Sequence, residues 1–154
     1  MKRILNISDI EIDPKSLRLD YENFVKNLLE DVVTHNNQVL VQKKFHIVRK
    51  KEYNDIVNSI PYTKNIIEIM LQKYQMNDVT YRIVMPNTAY NWHFDTGMYC
   101  YHIPLISNPG CHFVYENESY KMEVGKIYRV HNGVFHTFVN AEPKPRLHMT
   151  FENL

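Results

Sequence analysis

Glycine is scarce in this sequence, cysteine is scarcer, and long apolar runs are missing. Four Gly in 154 residues exclude collagen-like and Gly-rich linker architectures. Two Cys cannot build a disulfide scaffold. The opening stretch MKRILNISDIEID lacks the apolar segment of a signal peptide, and no run approaches the roughly 20 apolar residues of a membrane span. The expectation is therefore a soluble cytoplasmic protein in a reducing compartment, without a membrane partner. An excess of one charge is absent as well. Lys and Arg total 18 against 17 Asp and Glu, a formal charge of +1. A protein that lives on phosphate contacts carries a clear basic surplus, so nucleic acid is not an expected partner.

What is present is ordinary for a globular domain: 44% hydrophobic and 23% charged residues, which argues against disorder. The chain reads as a single domain whose grammar changes near residue 78. Before that point, Leu17, Tyr21, Phe24, Val25, Leu28, Leu29 and Val32 recur at helical spacing behind Asp13-Pro14. A helix is predicted over about 15–34, a short strand or extended link over 38–44, and further helices near 51–59 and 63–75. After it, short apolar-aromatic runs alternate with turn signals such as Asn108-Pro109-Gly110 and Asn132-Gly133. The predicted strands are 79–85, 90–95, 99–106, 111–115, 119–123, 126–131 with 134–139, and 146–152. The fold class expected is α+β, with a helical half (1–77) packed on an all-β half (78–154).

Chemistry concentrates in the β half, where six of the eight His lie. In the stretch Asn91-Trp92-His93-Phe94-Asp95, a strand would put His93 and Asp95 on one face, offering an imidazole and a carboxylate together. His136 follows in an apolar run after the Asn132-Gly133 turn, and Arg146 opens the last strand. A buried Arg needs an anionic partner, because an unpaired buried charge is costly. Two His, one carboxylate and a placed Arg read as one site. The two-His-one-carboxylate set is that of non-haem Fe(II) oxygenases and leaves coordination positions open. The Arg would take the far carboxylate of a dicarboxylic co-substrate. Against this stand plainer readings. The His could be satisfied core residues and Asp95 a turn residue, while Arg146 could pair with Glu142 or Glu152. His102 could bond a backbone carbonyl, and His112, His131 and His148 fit structural or pocket-lining places. Cys100 and Cys111 fit reduced, packed thiols.

In order along the chain stand Met85-Pro86-Asn87-Thr88, His93-Phe94-Asp95, His102-Ile103-Pro104-Leu105, Asn108-Pro109-Gly110-Cys111, Tyr115-Glu116-Asn117-Glu118, Glu123-Val124-Gly125-Lys126, His136 and Arg146. In this set the segment from Tyr81 to Glu152 resembles the aspartyl/asparaginyl β-hydroxylase family of 2-oxoglutarate- and Fe(II)-dependent oxygenases. The resemblance implies a cupin-type double-stranded β-helix with Fe(II) between His93, Asp95 and His136. It implies Arg146 on the distal carboxylate of 2-oxoglutarate, His102 assisting there, and O2 as the oxidant. It implies hydroxylation of an unactivated C–H bond, on the β-carbon of an Asp or Asn residue or on a small amino-acid-like molecule. The substrate would be a small molecule or a short peptide segment; the sequence does not give the oligomeric state.

Two positions bear on that pattern. Where many members carry an Arg two residues before the His of His-Ile-Pro, this chain has Cys100, so that either Arg82 or Tyr101 compensates for the missing cation or 2-oxoglutarate is bound more weakly. Asp95 is retained where some wider relatives have Gly, which favours hydroxylation over halogenation. Trp92 and the neighbouring Tyr residues, together with His148 on the strand face of Arg146, are further candidates for the pocket. The competing readings are a cupin-type metal protein without co-substrate, such as an isomerase or dioxygenase, and a non-catalytic binding module. 2-Oxoglutarate binding separates the first from the hydroxylase, and iron-dependent succinate release excludes the second.

Overall fold

The last strand reads Arg-Leu-His-Met-Thr-Phe-Glu, and its alternation divides the molecule into two cores. The computed structural model describes residues 2–32 and 42–154. The strands are β1 (Ile4–Asn6), β2 (Glu30–Asp31), β3 (Gln42–Arg49), β4 (Glu52–Tyr53), β5 (Asp78–Val84), β6 (Thr88–Ala89), β7 (Tyr99–Ile106), β8 (Cys111–Tyr115), β9 (Glu118–Tyr120), β10 (Tyr128–His131), β11 (His136–Asn140) and β12 (Arg146–Glu152). The two α-helices are α1 (Pro14–Asp20) and α2 (Pro61–Tyr74). Among the described residues the larger sheet runs β1-β10-β7-β12-β5-β3-β2 with β4 on β3, and the smaller runs β6-β11-β8-β9. All the pairings are antiparallel.

On one face of the larger sheet, Leu147, Met149, Phe151, Ile103, Leu105 and Tyr81 pack against Leu17, Tyr21, Ile67 and Met70 of the helical layer. Tyr101 belongs to this face, stacked on Tyr74 with ring centroids 4.4 Å apart. The opposite face meets the smaller sheet: Phe113 approaches His102, and Phe138 lies against His148 and Arg146. A double-stranded β-helix results, with its cavity between the two sheets. Pro104, which has no N–H for the ladder, coincides with the register shift between Leu147 and His148.

The helical half is only partly so. Asp13 caps α1 through Lys15 N, and Pro14 sits at its first turn, where a missing N–H costs nothing. The helical path continues through a π turn and a 3-10 turn only to Leu28, and Glu30–Asp31 already pairs with Lys43 and Lys44. The helix predicted to residue 34 therefore ends early, and its final residues, with 38–41 of the predicted link, lie outside the described residues. Residues 42–49 form a full strand between β2 and β5. The segment 51–59 is β4 followed by a 3-10 turn over Asp55–Ser59, capped by Asn54. α2 starts at Pro61 itself and stops where Gln75 turns left-handed at φ 55°. No helix among the described residues is long and apolar enough to cross a membrane.

Candidate active site

The stretch expected as a strand over 90–95 is instead a bulged continuation of β6. Ala89 pairs with Val139 and His93 with His136, so four steps on one side span three on the other. One extra residue is thus accommodated, which bends the chain toward the cavity. Reciprocal bonds lock the far end: His93 N donates to His136 O at 3.0 Å, and His136 N donates to His93 O at 2.9 Å. Asp95 N then donates to Asn132 O at 3.0 Å. Pinning by neighbouring backbone, rather than strand alternation, brings His93, Asp95 and His136 together.

Their ligand atoms all lie within 4.8 Å of one another. Asp95 Oδ2 stands 3.7 Å from His136 Nε2, and Asp95 Oδ1 stands 4.0 Å from His93 Nε2. Each imidazole is oriented through its other nitrogen. His93 Nδ1 is 2.7 Å from Asn91 O, and His136 Nδ1 is 2.8 Å from Val134 O. A carbonyl only accepts, so both Nδ1 atoms carry the proton and both Nε2 lone pairs face the carboxylate. Burial also lowers the His136 pKa, which keeps the ring neutral and able to ligate. Two imidazole nitrogens and one carboxylate oxygen on one side of a cavity fit a divalent first-row metal with open positions.

A cavity of about 420 Å³ extends from these three residues and is lined further in by His102, Phe113, Phe138 and Arg146. Arg146 is only 4% exposed, with its guanidinium carbon 3.6 Å from the Phe138 ring centroid. Burial pulls its pKa down to about 10. Among the described residues it has no carboxylate partner, and its Nε has no hydrogen bond. The turn before it is clamped by amides: Asn140 Nδ2 donates to Lys144 O at 2.8 Å and Asn108 Nδ2 to the same carbonyl at 3.2 Å. That use absorbs the Asn-Pro-Gly motif. The Tyr90 hydroxyl is a second buried polar atom without a partner among the described residues, and Tyr90 lines the same cavity. Burial raises its pKa, while the charge of Arg146 acts against that rise. An unpaired buried cation beside an unpaired hydroxyl is what a carboxylate-binding pocket requires.

The other predicted pocket residues separate. His102 lines the cavity, its Nδ1 3.0 Å from His148 Nδ1 and its Nε2 3.1 Å from Cys100 Sγ. Burial, and then the charge of Arg146, holds both rings well below the usual imidazole range, so the two stay neutral. His148 is buried behind His102, and Cys100 stands off the cavity wall. Tyr101 points into the opposite core and cannot replace a missing cation. Trp92 is half-exposed and off the wall too. Arg82 does line the cavity, but its Nη2 is paired with Glu152 Oε2 at 2.8 Å. Sequence reasoning missed Asn132, Thr150 and Glu152 on the wall. For Thr150 and Glu152 a signal was available, because they share the alternation of Arg146 and His148 along β12.

Comparison with known proteins agrees with this fold. The fold matches a viral collagen prolyl hydroxylase from Paramecium Bursaria Chlorella virus-1, solved as its 2OG complex, at TM-score 0.62 and 10% identity over 97% of this chain and 94% of that one. It matches a prolyl hydroxylase from Trichoplax adhaerens, solved with a hypoxia-inducible-factor peptide fragment, at TM-score 0.65 and 12% identity over 96% and 80%. A Pseudomonas putida prolyl-4-hydroxylase matches at TM-score 0.60 and 11% identity over 99% and 93%. No curated protein matches the sequence. The sequence profile of the aspartyl/asparaginyl beta-hydroxylases covers residues 15–153, nearly the whole chain. With His, Asp and His gathered at one mouth and an unpaired Arg beyond them, this chain belongs to the aspartyl/asparaginyl β-hydroxylase family.

Proposed function

We propose that the protein is a 2-oxoglutarate- and Fe(II)-dependent dioxygenase that hydroxylates an unactivated C–H bond, acting as one unit in which residues 1–77 brace the β-helix of 78–154. The net reaction is R–H + 2-oxoglutarate + O2 giving R–OH + succinate + CO2. The observation that carries this reading is Arg146: a buried cation without an anion, on the cavity that the His-Asp-His cluster opens into.

Each residue has a part. His93, Asp95 and His136 hold the metal, two as neutral imidazoles aimed by backbone carbonyls. Arg146 receives the distal carboxylate of 2-oxoglutarate, with the Tyr90 hydroxyl as a second donor. His102 is kept neutral by burial and oriented by His148, and its place on the wall suits contact with the co-substrate. The consistent arrangement has the Cys100 thiol donating to His102 Nε2 and His102 Nδ1 donating to His148 Nδ1. Phe113 and Phe138 make the intervening wall apolar and exclude water from the charged groups. Held at this cluster, Fe(II) would supply the activation of O2 that couples oxidative decarboxylation of the co-substrate to hydroxylation.

The test is metal content and product. After anaerobic Fe(II) loading, the wild type should hold one iron per chain, while His93→Ala and His136→Ala hold little. With 2-oxoglutarate and air, the wild type should release succinate in proportion to iron. Undiminished iron in both variants overturns the ligand set. Absence of iron-dependent succinate across a substrate panel overturns the hydroxylase in favour of a metal-binding cupin.

A further inference from the structure

Asn132 stands on the cavity wall, and neither the metal cluster nor the co-substrate anchor makes use of its side chain. It follows β10, whose inward residues Tyr128 and Val130 belong to the apolar core between the sheets. Alternation puts Asn132 next on that inward file, where an apolar side chain would pack without cost. It is an amide instead, only 6% exposed, and it lines the cavity together with His93, Asp95 and His136.

The backbone of Asn132 is clamped on both sides. Its N–H donates to Met98 O at 3.0 Å, and its carbonyl accepts from Asp95 N at 3.0 Å. The residue is therefore one backbone hydrogen bond away from the carboxylate ligand, and the direction in which its side chain leaves the backbone is fixed. The NH2 end of the amide meets the Cys100 thiol and opposes the rise that burial imposes there. Oδ1 is left buried, without a hydrogen-bond partner among the described residues. A buried acceptor without a donor costs stability, so a site that keeps one calls for a donor that arrives with the ligands.

The chemistry of the loaded site narrows what that donor is. 2-Oxoglutarate is a dianion with acceptors only, so it matches the donors Arg146 and Tyr90 and offers nothing to a carbonyl oxygen. Asp95 only accepts, and the Nε2 atoms of His93 and His136 present lone pairs, since both Nδ1 atoms carry the proton. Water on a divalent cation is a strong donor, because the ion's charge polarises its O–H bonds. A metal held by three protein ligands keeps positions that water fills.

We propose that Asn132 is a positioning residue of the metal centre, whose Oδ1 accepts a hydrogen bond from water in an open coordination position. The proposal rests on the metal site of the hydroxylase reading and adds a residue to it. Water held in this way occupies a place that O2 needs, so the amide guards the metal against oxidation before substrate is bound.

The probe is Mn(II) alone, with the lifetime of its bound water read from oxygen-17 relaxation of the solvent. Asn132→Leu keeps both backbone bonds and removes the acceptor. It should shorten that lifetime about fivefold, the factor that one hydrogen bond of ordinary strength is worth. A role confined to the fold would lower the melting temperature and leave the lifetime alone. An unchanged lifetime in the folded variant therefore overturns the proposal and leaves the acceptor to a donor on the substrate. A second measurement needs no variant that folds. On loading the wild type with diamagnetic Zn(II), the Asn132 Cγ resonance should move downfield, as a carbonyl carbon does on gaining a donor; an unmoved resonance overturns the proposal as well. A wild type that takes up no divalent metal removes the hydroxylase reading and this proposal with it. Metal uptake with an unchanged lifetime removes the Asn132 assignment alone.

Discussion

Replacing Arg146 by Met should make the ligand-free protein more stable and nearly abolish its affinity for 2-oxoglutarate. The pKa of Arg146 falls from 12.5 to about 10 because its site is dry, a cost to the charged form of roughly 3 kcal/mol. The Phe138 ring, 3.6 Å from the guanidinium carbon, returns about 1–2 kcal/mol of that as a cation–π contact. The uncompensated remainder is roughly 1–2 kcal/mol. A chain of this size gains about 2–4 °C per kcal/mol, so the melting temperature of the Arg146→Met apoprotein should rise by about 5 °C. The sign has a pH signature. The charged form is penalised wherever it is populated in the fold, so the gain persists at neutral pH and fades as pH rises through about 10. Truncating a buried charge-assisted pair costs about 2–5 kcal/mol, so 2-oxoglutarate binding should weaken at least about thirtyfold. Thermal melts with and without co-substrate, beside anaerobic titration of the metal-to-ligand absorption band, read both quantities. A less stable apoprotein would mean that Arg146 serves the fold, and unchanged 2-oxoglutarate affinity would move the anchor elsewhere.

Two further outcomes follow from the buried imidazoles and the thiol. Burial keeps His102 and His148 neutral well below the usual imidazole range, so the unfolded chain binds protons that the fold refuses; stability is intact above about pH 6.5 and lost as pH falls below it. Urea midpoints between pH 7 and 5 should therefore fall less for His148→Leu than for the wild type, by up to about 2 kcal/mol in stability, and parallel profiles would show that His148 titrates normally. Cys100→Arg should lower the melting temperature without tightening 2-oxoglutarate, because the thiol is buried 3.1 Å from His102 Nε2 and off the cavity wall. Overpacking of that kind costs about 1–3 kcal/mol. Tighter 2-oxoglutarate binding by a stable Cys100→Arg variant would show that the cavity reaches this position.

The β half was legible where alternation is sharp and turns are strong. Strands predicted at 99–106, 111–115 and 146–152 are found at those residues, since Tyr101-Ile103-Leu105 and Leu147-Met149-Phe151 form apolar files against polar ones. β3 was harder to read: Gln42, Lys44 and His46 continue the polar inner face, so the strand lacks a clean hydrophobic signal. β1 has three residues and no period to detect; it is recruited by the exposed edge of β10. The helix after Asp13 carried its apolar spacing through Val32, yet Glu30 and Asp31 were taken by pairing with β3. Tertiary pairing overrode local spacing at both places.

The site was legible as a set of residues, while their arrangement required registers that a sequence does not display. His93 and Asp95 were grouped by a strand rule, but a bulge and three backbone bonds bring them together. Tyr101 could have been set aside from the sequence alone, since it shares parity with Ile103 and Leu105 rather than with His102. Glu152 gives the clearest case. From the sequence it was a plausible partner for Arg146, six residues earlier in the same strand. At about 3.4 Å per residue those six steps span roughly 20 Å, far beyond any side-chain contact. Glu152 instead reaches diagonally across the β5–β12 ladder to Arg82, where His148 sits opposite Arg82. A single strand thus ends in two differently treated charges. Arg146 is left without a protein partner deep in the cavity, which suits it to an incoming carboxylate. Glu152 is matched by Arg82 on the wall of the same cavity, which leaves a dipolar pair rather than a bare charge there.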